Sequence, residues 1–332
     1  MKAKEYTSSQ EVKWCPGCGD YAVINSMKKA LSELELKKED VVFVSGIGCS
    51  SRFPYYIDTY GFHTIHGRPL AIASGTKIAN PDLSVWVISG DGDALAIGGN
   101  HFIHAIRRNI NLNLILFNNE IYGLTKGQYS PTSEKGIVTK SSPHGTIETP
   151  FLPAKLALGA GSNFFARVPD TEGKLMTQII IQAEKHKGLS MIEVLQNCVI
   201  FNDKTHSAIT DKENKKDNQI VLEHGKAMVF GKENNKGLIL NALKLEVVTI
   251  GENGVAEDDI LIHDAHCESN ILHNLLLQMS LPELPVAMGV IREVSSSVYD
   301  DALYSQIQEQ KEDSKFSNLD ELFLSGNVFE QK

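Results

Sequence analysis

The chain of 332 residues is long enough to bury a large core, and two domains are compatible with that length. Its composition, 42% hydrophobic and 22% charged, is that of an ordinary globular protein, and no apolar run reaches the length of a membrane span. A formal net charge of −9 argues against general affinity for nucleic acid and leaves room only for a local basic patch.

The N-terminal Met1-Lys2-Ala3-Lys4-Glu5-Tyr6 runs into polar residues without the apolar core of a signal peptide, so a cytoplasmic location is expected. Cys15-Pro16-Gly17-Cys18 comes next. With Cys49, Cys198 and Cys267 it makes five cysteines, an odd number that fits poorly with a secreted disulfide framework. Asp20 is expected to cap a helix reaching about Leu36. Val41-Val42-Phe43-Val44 has the continuous, β-branched character of a buried strand. A short extended stretch leads to His66 and a helix over 68–79. A second strand is expected over 83–88, a helix over 95–108 and a third strand over 112–117. Helices over 151–159 and 172–186 and a strand over 189–195 follow. Apolar strands alternating with helices predict an α/β fold, a mostly parallel sheet flanked by helices.

The segment 120–149 breaks this rhythm. It carries Gly123, Gly127, Gly136 and Gly145, Pro131 and Pro143, and many Ser and Thr. It is too long for an ordinary connector, and its position directly after Asn118-Asn119 predicts an active-site cover. The charged, polar stretch 202–219 reads as a boundary or a mobile surface segment. It divides a domain over 1–201 from a C-terminal segment over 202–332. That segment is α/β in character, with strands near 245–250 and 259–263, a helix over 269–278 and an apolar stretch over 286–291. No reactive constellation stands out in it.

Three motif pieces follow predicted strands: Gly46-Ile47-Gly48-Cys49, Gly90-Asp91-Gly92-Asp93 and Asn118-Asn119. In open α/β sheets ligands bind beyond the carboxyl ends of the strands, so the three are expected to converge on one crevice. Asp and Asn are hard oxygen donors suited to Mg²⁺, which takes few protein ligands and fills its octahedron with substrate phosphates. The glycines beside Asp91 leave room for a diphosphate. The plain alternative for Gly90-Asp91-Gly92 is a tight turn with a capping Asp.

Cys15 and Cys18 are spaced to hold one metal from a turn, with Cys49 and Cys198 as further candidates at strand ends. Four thiolates suit either Zn²⁺ or a [4Fe–4S] cluster, and spacing does not separate these. Free, buried cysteine is the plain alternative for Cys49 and Cys198, and Cys267 is read as a packed or surface thiol. His66-Gly67-Arg68 opens a helix, where Arg and backbone N–H groups favour an anion, with an ordinary surface Arg as the alternative. Arg52 and Lys126 are cationic candidates for a substrate carboxylate, with solvated charge as the alternative.

Trp14-Cys15-Pro16-Gly17-Cys18-Gly19, Gly46-Ile47-Gly48-Cys49-Ser50, His66-Gly67-Arg68, Gly90-Asp91-Gly92-Asp93 and the run from Asn118 to Gln128 together resemble the beta subunit of 2-oxoacid:ferredoxin oxidoreductases, most closely the 2-oxoglutarate type. The likeness covers about residues 10–200. It implies a fold that binds thiamine diphosphate (ThDP); the α/β C-terminal extension read from the sequence is less clearly matched. It implies that Asp91, Asn119 and the Ile121 carbonyl hold Mg²⁺. Gly46, Gly48, Cys49, His66, Gly90, Gly92 and Asp93 would line the ThDP site, and Cys15, Cys18, Cys49 and Cys198 would ligate one [4Fe–4S] cluster. The implied reaction is oxidative decarboxylation of a 2-oxo acid, with electrons passing to ferredoxin and the acyl group to coenzyme A. An alpha subunit is the implied partner, because the glutamate that activates ThDP in this family lies there and has no match here. Neither nucleic acid nor a membrane is an expected partner. Alternatives are the same chemistry on pyruvate or an aryl pyruvate, a non-catalytic iron–sulfur electron-transfer protein on this fold, and a plain zinc protein.

Overall fold

Uninterrupted apolar runs become strands buried on both faces. β1 (Val41–Ser45), β4 (Asn113–Asn118), β7 (Phe164–Pro169) and β8 (Ser190–Leu195) are buried at every position. The structure, a computed structural model, describes residues 2–329 and 331. The other strands are β2 (Tyr60–His63), β3 (Ser84–Gly90), β5 (Ile121–Tyr122), β6 (Gln128–Tyr129), β9 (Gln219–Leu222), β10 (Val229–Phe230), β11 (Lys236–Asn241), β12 (Lys244–Thr249) and β13 (Val286–Glu293).

Eight of them form one sheet in the order β2-β1-β3-β4-β8-β7-β13-β9. The pairings from β2 through β7 are all parallel. β13 runs antiparallel to β7 and parallel to β9, so these last two strands oppose the rest. Both come from beyond residue 201, so residues on either side of that position share one sheet. β10, β11 and β12 form a small antiparallel sheet, and β5 pairs with β6 as a hairpin.

Alternate strand residues point to opposite faces, and the two cores follow that period. Val42, Val44, Val85, Val87, Leu114 and Leu116 pack on one face with the helices Pro69–Ala79, Gly99–Arg108 and Pro153–Gly159. Phe43, Trp86, Ile88, Ile115 and Phe117 pack on the other with the helices Asp20–Glu33 and Gly173–Lys185. The small sheet contributes Phe230, Leu238 and Leu245 to the first core. Among the described residues no helix is long and apolar enough to cross a membrane.

Three local expectations need correction. Asp20 is the first residue of its helix, which ends at Glu33, and makes no capping bond; Gly19 takes the cap position. The helix expected over 95–108 is two helices, Asp91–Leu95 and Gly99–Arg108. They break where Gly98 passes so close to the Asp93 carbonyl that a Cβ would lie 2.4 Å from its oxygen. No strand forms over 259–263. A 3₁₀ turn at Glu257–Asp259 leads to a single bridge from Ile262 to Ala227.

Candidate active site

The carboxyl ends of β1, β3, β4 and β8 lie side by side, and the three motif pieces extend from the first three. They enclose a cavity of about 520 Å³. Gly48, Cys49, His66, Gly90, Asp91, Gly92, Asp93, Asn119 and Ile121 all line it. Gly46 stands behind this wall, where a Cβ would lie 1.8 Å from Asp93 Oδ2. Only glycine lets β1 turn this close to a buried carboxylate.

Asp93 organises the turns. Its Oδ1 accepts from the backbone N–H of Ile47 (3.1 Å) and of Gly67 (2.7 Å), and its Oδ2 accepts from Ser89 Oγ (2.5 Å). His66 Nδ1 stands 2.8 Å from the same Oδ1, without hydrogen-bond alignment. One carboxylate thereby ties together the loops after β1, β2 and β3.

Asp91 is 3% exposed. Ser130 Oγ (2.5 Å) and Thr132 Oγ1 both donate to its Oδ2. Burial pushes its carboxyl above the usual range, while the two hydroxyls pull it down. The long segment after Asn119 therefore folds back over the site, as expected of a cover. Its hairpin places Tyr122 on Gly92, with the phenol donating to the Gly92 carbonyl at 3.0 Å. A Cβ on Gly92 would lie 2.2 Å from that ring. Asn119 Oδ1 accepts from the Ile121 N–H (3.2 Å), and its Nδ2 donates to Gln196 Oε1 (2.8 Å). Between them Glu120 adopts the left-handed region at φ 58°. Burial raises its carboxyl to about 7, opposed by the hydroxyl of Thr205, which donates at 2.9 Å.

Cys15, Cys18, Cys49 and Cys198 line a second cavity of about 210 Å³. It shares Cys49, Asn119, Gly123 and Leu124 with the first. All four cysteines are free, and they come from three segments far apart in sequence. A Cβ on Gly123 would lie 3.4 Å from Cys198 Sγ and 3.7 Å from Cys49 Sγ, so both sulfurs face that glycine. Trp14 packs edge-on against Tyr21 and Tyr56, and its indole N–H holds the Cys49 carbonyl at 2.7 Å. Burial pushes the Cys18 thiol well above its usual range and the Cys49 thiol up to about 11, and buried Asp20 and the other sulfurs add to the effect. Desolvated thiols of this kind are poor nucleophiles. They suit a cation that replaces the proton. Among the described residues no group of three or more His, Cys, Asp or Glu is arranged to hold a metal ion. The sulfurs surround a space.

Arg52 lines the cysteine cavity. Its Nε donates to the Tyr56 hydroxyl (2.8 Å), and its guanidinium lies 5.7 Å from the Tyr55 ring centre. Lys126 is exposed in the loop at φ 76° and lines neither cavity. Cys267 sits apart, its carbonyl accepting from Arg292 at 3.0 Å. Ser130, Thr132 and Gln196 also shape these cavities, and sequence reasoning missed them; Tyr122 lay within the motif run, and Asp20 was read only as a helix cap. The Ser-Pro-Thr-Ser run over 130–133 carried the only signal, a cluster of hydroxyls in the expected cover.

A family profile described as "Thiamine pyrophosphate enzyme, C-terminal TPP binding domain" matches residues 46–194, from the turn after β1 into β8. The 2-oxoglutarate oxidoreductase subunit KorB of Mycobacterium tuberculosis is 50% identical over 308 residues, covering 92% of this chain and 82% of that one. The chain belongs to the beta subunits of the 2-oxoacid:ferredoxin oxidoreductases. The beta subunit of the Saccharolobus solfataricus enzyme is 49% identical over 192 residues, 57% of this chain and 63% of that protein. A solved 2-oxoglutarate:ferredoxin oxidoreductase from Magnetococcus marinus, with 2-oxoglutarate, coenzyme A and succinyl-CoA bound, superimposes with a TM-score of 0.76 at 31% identity. That match covers 98% of this beta subunit and 95% of the solved chain. The beta subunit is thus part of an oxidoreductase, and its parallel sheet is that of ThDP enzymes.

Proposed function

We propose that this beta subunit, joined to an alpha subunit, oxidatively decarboxylates 2-oxoglutarate to its acyl-CoA and passes the electrons to ferredoxin. The observation that carries the reading is the shared wall. Asn119 and Cys49 line both the cavity of the diphosphate motif and the cavity of the four cysteines. A carbon centre activated in one would have an electron acceptor next to it in the other.

In this reading the Asp91 carboxylate, the Asn119 amide oxygen and the Ile121 carbonyl hold Mg²⁺, a set of hard oxygens that leaves positions for a diphosphate. Gly46, Gly48, Gly90 and Gly92 keep the backbone open to that group, and Cys49, His66 and Asp93 complete its surroundings. Cys15, Cys18, Cys49 and Cys198 hold a [4Fe–4S] cluster; thiolates spread around a cavity fit a body wider than a single ion. When bound, ThDP would supply an electron sink for loss of CO₂ and the cluster a one-electron acceptor beside it, with coenzyme A as the acyl acceptor. Ser130 and Thr132 orient the Asp91 carboxylate, and the cover that carries them keeps water out. Arg52, braced by Tyr55 and Tyr56 on the cysteine-cavity side, is the first candidate for the distal carboxylate of the substrate, and Lys126, which lines neither cavity, is the second.

The test is anaerobic reconstitution with the alpha subunit, assayed with 2-oxoglutarate, pyruvate and indolepyruvate. Ferredoxin reduction dependent on 2-oxoglutarate and coenzyme A is expected. Turnover of pyruvate or indolepyruvate alone would reassign the substrate. Asp91→Ala is expected to abolish Mg²⁺-dependent ThDP binding in a calorimetric titration while iron and sulfide content stay near wild type.

A further inference from the structure

Gln196 is the first residue past β8 and is 1% exposed. Its backbone N–H continues the sheet by donating to the Asn118 carbonyl at 3.0 Å, which fixes its main chain. Its side chain lies between the two cavities and uses both ends of the amide. Oε1 accepts from Asn119 Nδ2 at 2.8 Å. Nε2 donates to Cys18 Sγ at 3.4 Å and to the Asn197 carbonyl at 2.5 Å.

The first bond decides how Asn119 is presented. An amide has one oxygen and one nitrogen, and only the oxygen ligates a cation. An acceptor at Nδ2 fixes which end faces Gln196, and Oδ1 then turns towards the Ile121 N–H and Asp91's cavity. The second bond acts on the sulfur. A hydrogen bond to a cluster thiolate withdraws electron density from it and raises the reduction potential. The backbone carbonyl of Asn197 holds the donor in place, so the N–H aimed at Cys18 is preset.

We propose that Gln196 is a positioning residue that joins the two halves of the site, orienting the Asn119 amide for Mg²⁺ and setting the cluster potential through Cys18. The inference rests on the cofactor assignment above. It adds that one side chain tunes both groups, so that cofactor binding and electron acceptance are mechanically linked. Asn119 and Cys18 are far apart in sequence and meet through this one side chain.

The experiment uses the complete complex with its alpha subunit, purified anaerobically. Gln196→Met removes both the acceptor and the donor at similar length and without charge. Gln196→Glu keeps an acceptor for Asn119 and removes the donor to Cys18. Two readouts are taken: the midpoint potential of the cluster in a redox titration followed by electron paramagnetic resonance, and Mg²⁺–ThDP affinity by calorimetry. Gln196→Met is expected to shift the potential to more negative values and to weaken Mg²⁺–ThDP binding roughly 10- to 100-fold, as loss of an outer partner does. Gln196→Glu is expected to lower the potential with affinity near wild type. A neutral Gln196→Met complex with an unchanged potential overturns the cluster role, and unchanged affinity overturns the Asn119 role. If Gln196→Met loses its cluster, Gln196→Glu decides: a potential at or above wild type overturns the cluster role. A wild-type complex without stoichiometric iron, sulfide and bound ThDP overturns the cofactor assignment itself, a result distinct from failure of the link.

Discussion

Asp93 shows how one side chain fixes a site by tying its backbone turns together. It is 2% exposed and holds the turns after β1 and β2 against its own helix. Gly46→Ala would drive a methyl group into it, so a cost of roughly 1–3 kcal/mol and loss of measurable ThDP binding are expected. Gly99→Ala is the contrast, since a Cβ there meets nothing within 4 Å. Thermal denaturation should show that variant unchanged or raised by up to about 1 kcal/mol. A second residue sets a pH dependence. His186 is 8% exposed, its Nε2 has no partner, and burial lowers its imidazole from 6.5 to about 4. The native state therefore keeps it neutral while the unfolded chain takes up a proton, so stability falls as pH drops from about 6.5 towards 4. His186→Phe is expected to flatten that part of the stability–pH profile, a difference of about 3 kcal/mol between pH 7 and 4. The motif residues were legible because their chemistry is carried by residue type at a fixed spacing. Gln196 and Thr132 were not, because an amide or a hydroxyl gains meaning only from what stands opposite it.

At the level of elements, the segment after Asn119 departs most from ordinary α/β design. It is built from a hairpin whose strands, β5 and β6, have two residues each, and a turn closed by Ser133, whose hydroxyl bonds the Glu120 carbonyl. Ser130 and Thr132 anchor it to Asp91. The paired change Ser130→Ala and Thr132→Val should release that anchor. Calorimetry is expected to show Mg²⁺–ThDP affinity lower by about tenfold or more, given the strength of hydrogen bonds to a carboxylate. Limited proteolysis should cut faster over 130–149 than in the parent. The strands β1, β3, β4 and β8 were readable as apolar runs. β7 was missed because Arg167 interrupts its pattern; the guanidinium is buried only because Glu193 of β8 accepts from it at 2.7 Å. The helix Tyr299–Glu312 was missed for the opposite reason. Asp300 is its sole fully buried residue, and its few apolar residues, Tyr299, Leu303 and Ile307, are diluted among Asp, Gln, Glu and Lys, so the stripe is weak.

For the molecule as a whole, the decisive element is β13. The sequence marked it as an apolar stretch over 286–291 without a place to go, and no local pattern could say that it pairs with β7 in the opposite direction. A chain ending at residue 201 would leave the β7 edge unpaired and expose both cores, so it is expected to be insoluble or to aggregate. A chain ending at Asp313 should keep a melting temperature close to the full chain, since the helix Leu319–Leu324 buries none of its residues. Circular dichroism melts of the two truncations check this. The order of assembly follows from the strand order. Cys15, Cys18 and Cys49 are made well before Cys198, and the strands that bring the four segments together, β1, β3, β4 and β8, are complete only once β8 has emerged. Until then a nascent chain presents scattered thiols to the cell. On the proposed reading, iron–sulfur delivery waits for β8, and any delay leaves four thiols open to oxidation.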